Sequence, residues 1–344
     1  LNLTIHSLGG SSSDYVCGIW IAGSPGTTFS DALIEGNRVS GYSAHGLNHY
    51  MNGHITNVVW RNNVVDNSFD GGRYPSANSA LQIVSGSTDC VFENNYLRDT
   101  TTTEGAILAF NKYGNDDGGT NVIRNNLMVD SGNVGILYIL DSGGDGTTCD
   151  EVLRYDIHDN IIYHSGGSGV MIHPHECFGD GTRFNVFNNI LYDNGEHGVS
   201  ISSDTTARTR IDLFNNILYA TGENNHGLYV NDSFHGTLNH GNNLYWHGNG
   251  SSHDVVNDRW QAMYTVADVT DFESSAQNTD PSFTDVNQLP VSTNSAVGIH
   301  PDGLEPQATS PVVDHGTTGL HPEDIDTRTR PRGAGWDIGA YEVN

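Results

Sequence analysis

The chain has 344 residues, with 41 Asp+Glu against 14 Lys+Arg and a formal net charge of −27. The imbalance comes from missing bases: Lys112 is the one lysine, and charged residues total 16%. This excludes a generic nucleic-acid binder, whose affinity comes from Lys and Arg neutralising phosphates. A hydrophobic content of 36% with 41 Gly argues against disorder, and no apolar run approaches the ~20 residues of a membrane-spanning helix.

The chain opens at Leu1 without a Met, and Leu1-Asn2-Leu3-Thr4-Ile5 already alternates like a strand. A processed or trimmed start is expected. From there an Asn-Asn dipeptide, or a near match, recurs. Its second Asn falls at Asn37, Asn63, Asn95, Asn126, Asn160, Asn189, Asn216 and Asn243, at intervals of 26, 32, 31, 34, 29, 27 and 27 residues. Most anchors precede a short apolar strand, such as Ile161-Ile162-Tyr163 or Ile190-Leu191-Tyr192. A polar turn follows, and then a Gly opens a second strand, as in Gly169-Val170-Met171-Ile172 and Gly227-Leu228-Tyr229-Val230.

Sustained helical spacing of apolar residues is missing, so helix is minor. Short strands, Gly/Asn/Asp turns and a period near 27 predict an all-β fold, a single-stranded right-handed parallel β-helix of about 8–9 coils. The runner-up, a propeller, needs blades of ~40–50 residues. Asn suits the corner because it tolerates the left-handed conformation and its amide can bond up and down a stack. Coils are expected over residues 1–250, and a cap or tail packed on the same domain over 251–344.

Cys149 lies 11 residues before Asn160 and Cys177 lies 11 before Asn188, so neighbouring coils bring them within disulfide range. A Cys149–Cys177 bridge or stack is expected, with two buried thiols as the alternative. Cys17 and Cys90 fall at other column positions. A bridge and the Lys-poor, Thr/Ser/Gly/Asn-rich composition predict a secreted protein, extracellular or periplasmic.

Past Gly250 the anchor disappears. The chain then carries Asp280-Pro281-Ser282-Phe283, Ser310-Pro311-Val312-Val313-Asp314-His315-Gly316, Arg328-Thr329-Arg330-Pro331-Arg332 and Asp337-Ile338-Gly339-Ala340-Tyr341-Glu342. This order resembles the ending of many secreted bacterial right-handed β-helix proteins, over roughly residues 278–342. The resemblance implies an architecture and no particular reaction. Arg328, Arg330 and Arg332 are expected to tie this tail down by pairing with acids such as Asp337, with an anion site as the alternative.

Candidate chemistry is indexed from the Gly-opened strand. Two and four residues after each Gly, side chains should face outward: Asn48/Tyr50, Leu137/Ile139, Met171/His173, Ser200/Ser202 and Tyr229/Asn231, with Gln82/Val84 and Ile107/Ala109 filling the gap between them. Of these, Asn48, Tyr50, Gln82, Met171 and Tyr229, with Glu176 and Arg210, are the expected substrate contacts. The longer intervals come from loops at Asn111–Thr120 and Asp141–Thr148, which should overhang one side. Lys112, Tyr113, His173, His175 and Arg208 are the catalytic candidates on these loops and strand ends. Asp116, Asp117, Asp141 and Asp145 are the candidate Ca²⁺ ligands, although Asp/Gly turns need no ion.

His173-Pro174-His175-Glu176 resembles the Asp-Pro-His-Glu motif of mannuronan C-5-epimerases, right-handed β-helices acting on alginate. In that family the His and the Asp, with a nearby Tyr, move protons at C-5. Here the Asp position is His173, the Tyr position is Val170, and the second Asp, on the next coil, is Ser202. The resemblance therefore implies a polysaccharide-modifying β-helix without carrying over epimerase activity.

Three functions remain open at this point. The first is a lyase performing β-elimination on a uronate-containing glycan, with Lys112, His173 or His175 as base and acid and Arg208, Arg210 or Ca²⁺ neutralising the carboxylate. The second is a glycosidase with paired carboxylates from Asp141, Asp145, Glu176 and Asp204. The third is a non-catalytic glycan-binding or adhesin β-helix. The partner in each is a polysaccharide, with no nucleic acid and no membrane span.

Overall fold

The structure is a computed structural model. It describes residues 4–5, 17–23, 27–42, 45–51, 54–66, 79–84, 87–98, 105–111, 119–140, 152, 154–173, 180–202, 209–288 and 303–343. The expected Cys149–Cys177 pair lies outside them.

The architecture is a right-handed parallel β-helix with three sheets running along its axis. Sheet 1 begins with Thr4–Ile5 and then collects the strands that follow each Asn, from Arg38–Val39 through Ile190–Tyr192 to Leu244–His247. Sheet 2 collects the Gly-opened strands, from Cys17–Gly23 through Val170–His173 and His226–Val230 to Asp254–Asp258. Sheet 3 collects the strands preceding each Asn, from Thr28–Glu35 through Arg154–His158, Arg183–Phe187 and Arg210–Phe214 to Thr237–Gly241. The one helix among the described residues is the four-residue Val269–Phe272. No helix of the described residues is long and apolar enough to cross a membrane.

The Asn-Asn dipeptide divides two tasks between its residues. The first residue turns the corner in the left-handed region, with φ of 57° at Asn62, 55° at Asn94, 52° at Asp159 and 56° at Asn188 and Asn215. The second residue is buried and links the coils. Asn160 donates Nδ2–H to Asn189 Oδ1 at 3.0 Å, and Asn189 donates to Asn216 Oδ1 at 3.0 Å. The chain of amides extends from Asn37 to Asn243. It ends on Glu273, which is buried and accepts from the Asn243 backbone N–H at 2.7 Å, Asn243 Nδ2 at 3.0 Å and Tyr245 OH at 3.0 Å. Sequence reading placed the ladder and missed this terminal carboxylate.

The inward faces of all three sheets form one core, which the end segment closes with Val255, Val256, Val266, Val269 and Ala276. The later tail does something else. Phe283, Leu304, Val312, Ile325, Ile338 and Tyr341 pack on the Leu127, Ile161, Ile190 and Ile217 side of sheet 1 as a second apolar cluster. The tail also follows the Asn corner back along the axis. Asn242 Nδ2 donates to His315 O at 2.9 Å, Asn215 Nδ2 to Thr317 O at 2.9 Å, and the Thr317 N–H to Asn215 Oδ1 at 2.8 Å. Arg330, wholly buried, then reaches Asp159 Oδ1 at 3.0 Å and Glu342 Oε2 at 3.2 Å. Asp337, the expected partner, gives Arg330 only its backbone carbonyl at 3.4 Å. Its side chain accepts the Asp314 and Val343 N–H groups instead.

The corner between sheets 1 and 2 carries ions. His164 sits between Asp130 and Asp193, 3.5 Å from each, and Arg98 Nε reaches Asp130 at 3.3 Å. Hydrogen bonds to Asp130 and then Asp193 raise the imidazole from 6.5 to about 9. A folded value above the unfolded one means that its stabilisation is full below about 6.5 and lost as pH rises through about 9. His164→Gln is therefore expected to flatten the fall of the urea midpoint across that window. An NMR titration placing His164 near 6.5 would contradict this assignment.

Candidate functional site

Among the described residues the tail packs mainly on sheet 1, and the candidate surfaces lie on the outer faces of sheets 2 and 3. On sheet 2, Trp20, Asn48, Gln82, Leu108, Leu137, Met171, Ser200, Tyr229 and Asn257 pair in register from coil to coil. This single column alternates against the core positions Leu47, Leu81, Ile136, Val170 and Leu228. It corrects one part of the expected register. Ile107 is fully buried in the core and Leu108 pairs in register with Gln82 and Leu137, because Ala106, and not Gly105, aligns with the opening glycines.

The two ends of this face carry exposed tryptophans, Trp20 at 56% and Trp260 at 60%. Trp260 sits in the turn joining Asp254–Asp258 to the antiparallel strand Ala262–Thr265. Asp258 O accepts the Gln261 N–H at 3.0 Å there, and Arg259 and Trp260 both have positive φ, 55° and 53°. Asn-Gly is the usual filling of a turn with two positive φ values, and a bulky residue costs roughly 1–2 kcal/mol in that region. An exposed Trp held there recovers nothing from core burial. Its indole donates to Tyr229 OH at 3.1 Å, and the rings meet edge-on at 6.0 Å. His197 stacks on the Tyr229 ring at 4.7 Å and 4°. Burial, then the neighbouring His226, lowers His197 to about 4, so this stack is uncharged at neutral pH.

His173 lies on the same face, four residues after Gly169, with Nδ1 2.8 Å from Ser202 Oγ on the next coil. At the ~4.8 Å strand spacing, Tyr229 is about 10 Å farther along the axis. Met171 is half-buried beside it. Gln82, expected as a substrate contact, is only 8% exposed. Asn48 and Tyr50 hold their expected register in His45–Met51, opposite Gln82 and Val84. Lys112, Tyr113, Asp116, Asp117, Asp141, Asp145, His175, Glu176 and Arg208 lie outside the described residues.

Arg210 is not beside His173. It opens a sheet 3 strand, Arg210–Phe214, and so belongs to a different surface. There a cavity of about 460 Å³ is lined by Arg183, Arg210, Asp156, Asn185, Asp212, Asn239, Phe187, Phe214, Gly319 and Leu320. Sequence reading missed this groove although its signal is regular. Arg154, Arg183 and Arg210 each stand six residues before a ladder Asn, and Asp156, Asn185, Asp212 and Asn239 each stand four before one.

Among the described residues, the one group able to offer three metal ligands is His158, Asp159 and His321. Asp159 Oδ1 already faces the Arg330 guanidinium, and His158 Nδ1 donates to Asp159 Oδ2 at 2.7 Å. Burial opposes the Asp159 charge, but the bonds from His158 and His321 outweigh it and hold the carboxyl below its ordinary value. A cation beside a buried guanidinium would be repelled, so this cluster serves as a clamp for the tail.

No family model matches the sequence. No curated protein matches it either. Among solved structures the chain is similar to pectate lyase Pel9A, at 13% identity and a TM-score of 0.39, over 100% of this chain and 97% of that one.

Proposed function

We propose that the protein is a polysaccharide-modifying enzyme that lays its substrate along the outer face of sheet 2. The observation that carries this reading is the pair of exposed tryptophans on one face, with a Ser-bonded histidine between them. Aromatic rings present the flat apolar surface that sugar C–H faces stack on. The reaction proposed is β-elimination on a uronate-containing chain. When His173 Nδ1–H donates to Ser202 Oγ, Nε2 is left with the lone pair that a base needs. It takes the C-5 proton, the C4–O bond breaks as the C4–C5 double bond forms, and the departing oxygen takes up a proton. Lys112, Tyr113 and His175 are the proposed partners in proton transfer, with Glu176 as a substrate contact. Arg208, or Ca²⁺ held by Asp116, Asp117, Asp141 and Asp145, would neutralise the uronate carboxylate and stabilise the enolate-like intermediate.

A panel of uronate-containing and neutral polysaccharides tests this. Ultraviolet absorbance from the unsaturated product is expected only with uronate chains. His173→Ala should lower kcat by about 10²–10⁴-fold, and Trp260→Ala should act mainly on KM. New reducing ends without unsaturation would make the protein a hydrolase, and inertness on the whole panel would leave the binding function. Full activity of His173→Ala would remove His173 from the mechanism.

A further inference from the structure

The sheet 3 groove lies apart from the sheet 2 face and has its own repeating lining. Arg154, Arg183 and Arg210 pair in register on consecutive strands, so three of the chain's 14 bases form one column. In a protein of net charge −27 this is a local concentration of cations. Asp212 organises it. Its carboxylate accepts from Arg210 Nε at 3.0 Å and Asn239 Nδ2 at 2.7 Å, and its Oδ2 forms an ion pair with Arg183 Nε at 2.7 Å. Both arginines are thus gripped by their inner edges while their side chains remain 46% and 52% exposed. Guanidinium groups held this way lose little freedom on meeting a carboxylate.

The second column supplies planar polar groups. Asp156, Asn185, Asp212 and Asn239 stand one per coil, and Asn185 donates to Asp156 Oδ1 at 2.5 Å while accepting from Arg183 Nε at 2.6 Å. Phe187 and Phe214 add apolar surface along the same strands, and Gly319-Leu320 of the tail form one rim. A linear chain lying along the axis would therefore meet a cation, a planar hydrogen-bonding group and an apolar ring at each of the two coils that carry Arg183 and Arg210. Multiply charged phosphates suit the groove poorly, because Asp156 and Asp212 line it as well.

We infer that this groove binds a uronate-bearing oligosaccharide, Arg183 and Arg210 taking its carboxylates and the Asp/Asn column its hydroxyls. The site is independent of the activity proposed for sheet 2, and on an enzyme it would hold a length of polymer that is not being cleaved.

Calorimetric titration of the full chain with oligogalacturonate, at low and raised salt, tests the inference. The methyl-esterified oligomer is the uncharged control. The wild type is expected to show a salt-sensitive binding component that the ester lacks. Arg183→Ala/Arg210→Ala should weaken that component about tenfold or more and remove its salt dependence. Trp260→Ala should keep it, so failure of the sheet 2 proposal and failure of this one give different patterns. If the arginine variant does not fold, Leu320→Trp, which fills the groove from the tail side, should weaken the same component. Wild-type affinity and salt dependence in the folded arginine variant, or equal binding of the ester, would overturn the inference.

Discussion

Asn189→Ala is expected to destabilise the protein by about 4 kcal/mol, because each buried polar group left without a partner costs about 1–3 kcal/mol. The Asn189 side chain accepts from the Asn160 backbone N–H and Nδ2 at 3.0 Å each. It donates to Asn216 Oδ1 at 3.0 Å, Ile157 O at 2.9 Å and Phe187 O at 3.0 Å. Alanine removes all of these where water cannot enter. In a solenoid each coil is held mainly by its neighbours, so an interior break weakens both sides of the array. Asn37→Ala, at the outermost link, should cost less. Urea unfolding measures both, and a loss below about 1 kcal/mol at Asn189 would mean that core packing alone holds the coils in register.

Arg330→Met is the second large effect, expected at about 3–5 kcal/mol, since it strands two buried carboxylates, Asp159 and Glu342. Loss of the clamp should free the tail from the Asn corner and expose its chain to limited proteolysis while the coils stay protected. Adding Asp159→Asn and Glu342→Gln should restore much of the loss, because the remaining groups carry no charge. Acidity gives an independent check. Burial raises Asp324 and Asp337 to about 6, so folding takes up protons below that pH and the tail gains stability as pH falls toward 3.8. Mild acid should therefore slow cleavage of the Arg330→Met tail. A protease pattern identical to wild type would show that the second apolar cluster suffices.

The fold was legible because a parallel β-helix repeats one steric problem at every coil. Only a few residue types turn the corner at positive φ and then fill a buried hydrogen-bonding position, so Asn-Asn recurs visibly. The outer faces have no such uniqueness. The sheet 2 column mixes Trp20, Gln82, Met171, Ser200 and Tyr229, and a Gly opening the strand was the main cue to its register. At Gly105 that cue pointed one residue too early, since alanine can occupy the opening position too. The sheet 3 columns were equally periodic, but they become meaningful only when counted backwards from Asn160, Asn189 and Asn216. Trp260 stands past the last anchor, Asn243. Its place on the sheet 2 face depends on a hairpin that breaks the parallel pattern. The Arg330–Asp159 contact joins positions 171 residues apart, and no local spacing announces it.

The amide ladder has a direction, and that direction bears on how long such a protein can be. Every internal Asn receives from one neighbour and gives to the other, so one link can replace another. A duplicated or deleted coil between Asn63 and Asn216 would leave a continuous chain of bonds. The final position is different, because Glu273 can only receive. A carboxylate there satisfies Asn243 and Tyr245 and offers no donor to anything stacked beyond it. Repeats can thus be gained or lost in the interior during evolution, while growth at the C-terminal end, and end-to-end joining of two molecules through that ladder, stops at one acidic side chain.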